Sequence, residues 1–310
     1  MTEFLSGCTG LAAQACGLLE WIVARIHRIL QNEAALRDVA KVLAILVITL
    51  GLEIAGRKNW RARYGSYHFT VDTVYYIFYY SGLYHFLVFA WIYSALAQAV
   101  GEHAPWMQTH FLAGLPPAVQ MVVIVVASDF LFYWYHRLMH SNRYLWAFHS
   151  IHHSQTKLTV MTTYRYHIVD ETLHRLWVFI PFQVLGYGVD VALWLWFDFL
   201  IIWVGLVQHS EWNWSYGPAG RVFVSPRFHR MHHSTDQRVA NRNFSAIFSF
   251  WDDLFGTAER KAEPPTVYGI AGNPIRETLL AQFVYPFVKI AHDLRRPAQA
   301  AAPASGNVIK

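Results

Sequence analysis

The chain has 310 residues, enough for one large domain or two of ordinary size. Apolar residues make up 55% of it and charged residues only 15%, against about 25% charged in a soluble globular domain, a deficit that burial in lipid would produce. The formal charge is +5, but the basic residues are not interleaved with aromatics along one polar surface, which argues against nucleic-acid binding and for a basic face toward anionic headgroups. The two cysteines, Cys8 and Cys16, support neither a disulfide framework nor a Cys-based zinc or iron–sulfur site. The first residues lack a basic n-region before a compact apolar core, so no cleavable signal peptide is expected.

In chain order, residues 1–37 read as an amphipathic interfacial helix. "LLEWIVARIHRIL" places Leu18, Ile22, Ile26 and Leu30 at fourfold spacing. Residues 38–116 read as transmembrane helices, with apolar stretches at 39–56 and 71–100. A third stretch, 117–135, opens a histidine-rich core over 117–260. Within that core, 176–207 is long enough for a helical hairpin turning at "LGYGVD". Residues 261–310 form a tail with an amphipathic helix. The expected fold is all-α: a polytopic membrane protein with about four transmembrane helices.

Basic residues orient these spans. Arg57, Lys58, Arg61 and Arg63 follow the first stretch, whereas "GEHAPWMQTHFLAGLPP" and the hairpin turn hold no Lys or Arg. The segment 136–175 and everything after 207 are basic again, so both face the cytoplasm. Arg25, Arg28 and Arg37 conflict with an outside N-terminus, so 39–56 is equally readable as re-entrant or interfacial.

The seventeen histidines are clustered. His136 and His140 are spaced i,i+4, one turn apart on one helical face. "HSIHH" adds His149, His152 and His153, and "HRMHH" adds His229, His232 and His233. In each H-x-x-H-H the i,i+3 pair is expected to share a face, with the adjacent histidine about 100° away. Such a cluster can serve two ions. Eight imidazoles exceed the needs of one ion and suit two. Imidazole suits zinc, copper, iron and nickel alike, so ligand type does not name the metal.

"HRLMH", "HSIHH" and "HRMHH" together resemble the fatty acid hydroxylase/sterol desaturase superfamily of integral-membrane histidine-box enzymes. The resemblance covers roughly residues 120–260 and extends to "SDFLFYWYHR", "LWAFHSIHHS" and "NRNFSAIFSFWDDLFGT". The short first box and "TTYRYH" look most like bacterial sterol desaturase-type members, although Ile168 stands where a Pro is common. The resemblance implies two non-haem iron ions, O2 as co-substrate and a lipid substrate, sterol-like or fatty-acyl, that is hydroxylated or desaturated. It implies a helical cytosolic cap carrying the metal site, in a bacterial inner membrane, and His209 as a further ligand. With no Cys ligands and no Gly-x-Gly-x-x-Gly fingerprint, electrons are expected from an external ferredoxin, cytochrome or flavin reductase.

Other polar residues lie close by. His167, Glu171 and His174 share a helical face, as metal ligands, as hydrogen-bond partners of ligands, or as a polar seam. Asp129, seven residues before His136 in an apolar span, reads as an acceptor behind a metal-bound imidazole or as a helix–helix hydrogen bond. Asn213 could orient His209, and Asp236 and Asn241 could do the same for the last box. Arg165, Arg227 or Arg230 could hold a polar lipid end. Two rival functions use the same histidines. A membrane zinc-dependent hydrolase needs a general base, usually Glu, yet no box contains one. A non-enzymatic metal carrier would hold its site near the bilayer midplane, whereas these boxes fall beyond the span ends.

Overall fold

A computed structural model of the chain describes residues 33–55, 60–80, 83–185, 189–263 and 265–295, with isolated positions before residue 33. Its helices are α1 (Glu33–Ala55), α2 (Trp60–Tyr64), α3 (Tyr67–Tyr80), α4 (Ala90–His103), α5 (Pro117–Ser141), α6 (Arg143–His153), α7 (Ile168–Leu185), α8 (Val191–His209), α9 (Pro226–His232), α10 (Gln237–Ala240), α11 (Phe250–Leu254) and α12 (Leu279–Arg295). Among the described residues there is no strand, only the isolated bridges Phe223–Phe248 and Ser234–Tyr268. The chain divides into compact units Met1–Gly51 and Leu52–Lys310; the site lies in the second. Most of the helix expected over 1–37, both cysteines and the centre of the hairpin turn lie outside the described residues.

The helical class is as expected, but the span count is not reproduced. Among the described residues only α5, with 25 residues, is long and apolar enough to cross a membrane. The apolar stretch at 71–100 is divided into α3, a π-helical turn at His85–Phe89, and α4. At 14 residues each, α3 and α4 reach about 21 Å, short of a hydrocarbon core of about 30 Å. The expected hairpin at 176–207 is represented by α7 and α8.

Helix α5 begins at Pro117, whose missing N–H costs nothing in the first turn. Ile124 and Val125 of α5 pack with Val178 of α7 and Phe197 of α8, and Leu112 and Ile247 close this core. At its far end α5 passes through a single extended residue into α6. That residue, Asn142, accepts hydrogen bonds from the amides of Tyr144 (2.9 Å) and Leu145 (3.2 Å), capping the new helix. The first two histidine boxes are thereby set at a fixed angle to each other.

A 3-10 turn, Val160–Tyr164, packs against α3 and α8. Gly205 of α8 permits this, because a Cβ there would collide with the Thr163 hydroxyl. Next to the turn, Arg165 is wholly buried. Its Nε donates to Asp72 Oδ1 at 2.5 Å and its terminal nitrogens to Glu277 Oε2 at 3.2 Å. Asp72 also accepts from Gln155 (2.6 Å) and Thr162 (2.9 Å). Arg165 is thus bound into the fold and does not present a cation to a lipid end, contrary to the sequence reading.

Candidate metal centre

Nine histidines converge in two groups. His136, His140, His149, His153 and His232 form one, and His152, His209, His229 and His233 the other; in each, the candidate ligand atoms lie within 4.8 Å of one another. Every one of them is buried except His140, which is partly so. The groups adjoin, since the rings of His153 and His233 stack at 4.5 Å.

The boxes divide between the groups by helical geometry. In α6, His149 and His153 face the first group and His152 the second. In α9 and its C-cap the division is reversed: His229 and His233 face the second group and His232 the first. The pair that shares a face is i,i+4, not the i,i+3 pair expected from the sequence. Residues four apart are rotated by only about 40°, against about 60° for three apart. Local signals start α9 at the required phase, with Ser225 accepting from the Phe228 amide at 3.2 Å and Pro226 in the first turn.

Hydrogen bonds set the tautomers. His136 Nδ1 lies 2.8 Å from the Phe244 carbonyl, His232 Nδ1 2.8 Å from the Arg242 carbonyl, and His209 Nδ1 2.9 Å from the Gly205 carbonyl. A carbonyl only accepts, so each Nδ1 carries the proton and each Nε2 a lone pair. His149 Nδ1 likewise donates to Asp170 Oδ2 at 2.9 Å, and His140 Nδ1 to Asn241 Oδ1 at 3.1 Å. The lone pairs then meet: His136 and His149 Nε2 are 3.1 Å apart. In the second group His209 Nε2 is 3.2 Å from that of His152 and 3.1 Å from that of His229. The facing lone pairs of His136 and His149 repel unless a cation lies between them, and the His209 lone pair is set among further ring nitrogens, so this donor set fits metal ions. Burial, and then the neighbouring imidazoles, push His152, His153, His229, His232 and His233 well below the ordinary histidine range. They are neutral near pH 7, the form that binds a metal.

The segment after α10 supplies three of the acceptors. Asn243, between the Arg242 and Phe244 carbonyls, has φ 59°, a left-handed conformation that Asn tolerates. Its side chain holds the Phe228 carbonyl (2.9 Å) and both the amide (2.7 Å) and carbonyl (3.1 Å) of Glu259. Asp252 accepts from the amides of Phe244 (2.8 Å) and Ser245 (2.9 Å). Asp129 accepts from those of Ala246 (3.2 Å), Ile247 (2.8 Å) and Phe248 (2.8 Å). Asp129 therefore acts one step further from the metal groups than expected, fixing backbone next to the carbonyl that orients His136.

Several expected residues lie elsewhere. His167 uses both ring nitrogens, accepting from the Val169 amide at 3.1 Å and donating to the Phe283 carbonyl at 3.0 Å, and so has no lone pair for a metal. Glu171 pairs with Arg175 at 2.5 Å and lies 3.8 Å from His174. Burial raises the Glu171 carboxyl, but Arg175 and His174 outweigh it and bring it to about 2. Asn213 is exposed, and Asp236 caps α10 and pairs with Arg238. The carboxylate that orients a histidine is Asp170, which sequence reasoning passed over. It is 1% exposed and also accepts from the Tyr135 hydroxyl at 2.6 Å. The available signal was an acid three residues after His167, in the first turn of α7. Tyr166, also missed, stacks on His152 at 4.5 Å with rings 5° from parallel.

A helical domain that gathers nine imidazoles from four segments into two adjoining groups defines a class of histidine-rich protein able to hold metal ions. Residues 121–257 match the family model for fatty acid hydroxylases. Ornithine lipid hydroxylase OlsE of Rhizobium tropici is 35% identical over 173 residues, covering 56% of this chain and 51% of that protein. Human alkylglycerol monooxygenase is 31% identical over 163 residues, covering 51% of this chain and 35% of that protein. A putative methylsterol monooxygenase of Dictyostelium discoideum is 24% identical over 160 residues, covering 46% and 54%. The chain therefore spans about half or less of the length of these curated relatives. No solved structure matches. Residues 121–257 thus form a fatty acid hydroxylase domain, and its lipid hydroxylase and monooxygenase relatives belong to the fatty acid hydroxylase/sterol desaturase superfamily.

Proposed function

We propose that this chain is an integral-membrane, non-haem di-iron oxygenase that hydroxylates a C–H bond of a lipid, with residues 117–260 as its catalytic core. Desaturation is the alternative outcome of the same chemistry. The observation that carries the reading is the pair of buried histidine groups, with the Nε2 lone pairs of His136 and His149 facing each other in one and the His209 Nε2 lone pair set between His152 and His229 in the other. The names of the relatives favour hydroxylation of a lipid, and the match to the fatty acid hydroxylase family favours iron over other imidazole-binding metals. Two iron ions, when bound, supply O2 activation and oxidation of an unactivated C–H bond. Electrons come from an external ferredoxin, cytochrome or flavin reductase, and the histidine boxes face the cytoplasm of a bacterial inner membrane.

The chain's own residues hold and shield this site. His136, His140, His149, His153 and His232 would hold one ion, and His152, His209, His229 and His233 the other. Asp170, Asn241 and the carbonyls of Arg242, Phe244 and Gly205 fix ring orientation. Met139, Ile151 and Met231, all buried, exclude water. An apolar cavity of about 350 Å³ is lined by Val125, by Ile247 and by Leu200, Trp203, Val204 and Val207 of α8. The four α8 residues form one helical face ending two residues before His209, and the cavity is of a size and lining suited to an alkyl chain. A hydrolase finds less support, since neither histidine group contains a carboxylate that could serve as base.

The test is metal analysis and Mössbauer spectroscopy on protein grown with iron-57, alongside His152→Ala and His232→Ala, one from each group. About two coupled irons per chain, lost or uncoupled in each variant, are expected. Tightly bound zinc with no iron, from iron-replete cells and resistant to iron reconstitution, would overturn the reading.

A further inference from the structure

Helix α12 is amphipathic in the opposite sense to a helix lying on a protein in water. Its buried side chains are Gln282 and Pro286. Gln282 accepts from the Tyr75 hydroxyl at 2.9 Å, and on the same side Lys289 pairs with Asp293 at 2.8 Å. The outward side carries Leu280, Phe283, Val284, Phe287, Val288 and Leu294, at the i, i+3, i+4, i+7 spacing of a single stripe. Leu280 is 73% exposed, Val288 60% and Leu294 65%. A surface helix normally buries its apolar stripe and shows water its polar one. A contiguous exposed stripe marks an interaction surface.

Three observations identify what covers it. The Phe287 ring packs on Phe148 of α6 at 5.5 Å, and α6 starts one residue after α5, the helix long and apolar enough to cross a membrane. The stripe is therefore close to where that helix ends. Next, with Lys289 paired to Asp293 on the inner side, the exposed Arg295 is left as a cation at the end of the stripe, a placement suited to anionic headgroups. Finally, its 17 residues reach about 25 Å, too short to cross with charges in the sequence but suited to lying in the interfacial plane.

We propose that α12 is an in-plane anchor whose Leu280–Leu294 stripe lies at the headgroup–acyl boundary of an anionic phospholipid bilayer. The Phe283 carbonyl, accepting from His167, ties this anchor to the start of α7, three residues before Asp170. His167, expected from the sequence near the metal, is thus a strut between the membrane surface and the metal-bearing helices. The proposal rests on the reading that the chain sits in a bilayer.

Unmodified protein in nanodiscs of phosphatidylcholine and phosphatidylglycerol, doped with a lipid carrying a diazirine on its acyl chain, tests it. After illumination, mass spectrometry is expected to find adducts on Leu280, Val284, Val288 and α5, and none on Gln282. Adducts on α5 without any on α12 would overturn the anchor and leave the bilayer reading standing; adducts on neither would remove both. Nitroxides at Leu280→Cys, Val288→Cys and His292→Cys, with Cys8 and Cys16 changed to Ser, give a second readout. Collision with O2 should exceed collision with an aqueous nickel chelate several-fold at 280 and 288, and the order should reverse at 292. Nickel access at all three sites would place the stripe in water. Exclusion of both quenchers at 280 and 288 would place it against protein, including a second copy of this chain. Either result overturns the proposal.

Discussion

The two histidine groups differ in how their rings are held. In the five-histidine group, four rings are oriented through Nδ1 by named acceptors: Phe244 and Arg242 carbonyls, Asn241 and Asp170. In the four-histidine group only His209 is, by the Gly205 carbonyl. The Nδ1 atoms of His152, His229 and His233 have no protein acceptor, and His152 is instead held by the face of Tyr166. One site is thus oriented mainly by hydrogen bonds and the other mainly by packing. Hydrogen bonds fix both ring plane and tautomer, whereas packing fixes the plane alone. The five-histidine group should bind metal in a single geometry, and the four-histidine group should be the more easily emptied.

The largest effect that could break this contrast comes from Asp129→Ala. It strips the acceptor from three buried amides beside the Phe244 carbonyl. A buried donor left without its partner costs about 1–3 kcal/mol, so a loss on the order of 4 kcal/mol is expected in thermal unfolding. Metal should leave the five-histidine group first; equal loss from both groups would show that the segment 241–248 supports them alike.

Asp170→Asn is next. Losing a carboxylate behind a metal-bound imidazole typically costs about 10–100-fold in metal affinity or activity. That loss is expected at the five-histidine ion alone, seen as an asymmetric Mössbauer spectrum. Tyr166→Leu should act on the other ion, because stacking contributes only about 0.5–1.5 kcal/mol. A chelator should then remove that ion several-fold faster, while the first stays bound. Asn241→Ala removes one orienting acceptor of four and should change five-histidine affinity less than Asp170→Asn does.

Glu171→Gln should leave metal content unchanged, since that carboxylate serves Arg175 and His174, neither of which belongs to a histidine group. Its folded value of about 2 lies below its ordinary value of 4.5. The ion pair therefore stabilises the fold fully above pH 4.5 and ceases to as pH falls toward 2. The variant should be less stable at neutral pH, with a flatter acid unfolding profile over that window. Loss of iron in Glu171→Gln would instead restore this residue to the metal centre.

Adjacent residues show what was legible. Asp170 and Glu171 are neighbouring acids in one helical turn, and the sequence offers nothing to rank them. Glu171 looked better because it shares a face with His167 and His174, yet that face leads to Arg175 and the interior of the helix packing. The i,i+4 pair His136 and His140 was readable because four residues in a helix always return to one side. The division of each H-x-x-H-H was only half readable, since two groups of rings were foreseeable while the allocation of rings depended on how α6 and α9 were rotated.

The sequence by itself determined the helical class, the eight box histidines, the long apolar helix that precedes the second box and the fatty acid hydroxylase domain at 121–257, because these rest on composition, local spacing and motif. Tertiary structure alone decided which ring faces which group, that Asp170 rather than Glu171 orients a histidine, that Arg165 is an internal strut and that α12 turns its apolar side outward. Each of these depends on groups brought together from distant positions or on backbone carbonyls. Every residue carries a carbonyl, so residue identity cannot mark the ones at Arg242 and Phe244 that hold His232 and His136 in place.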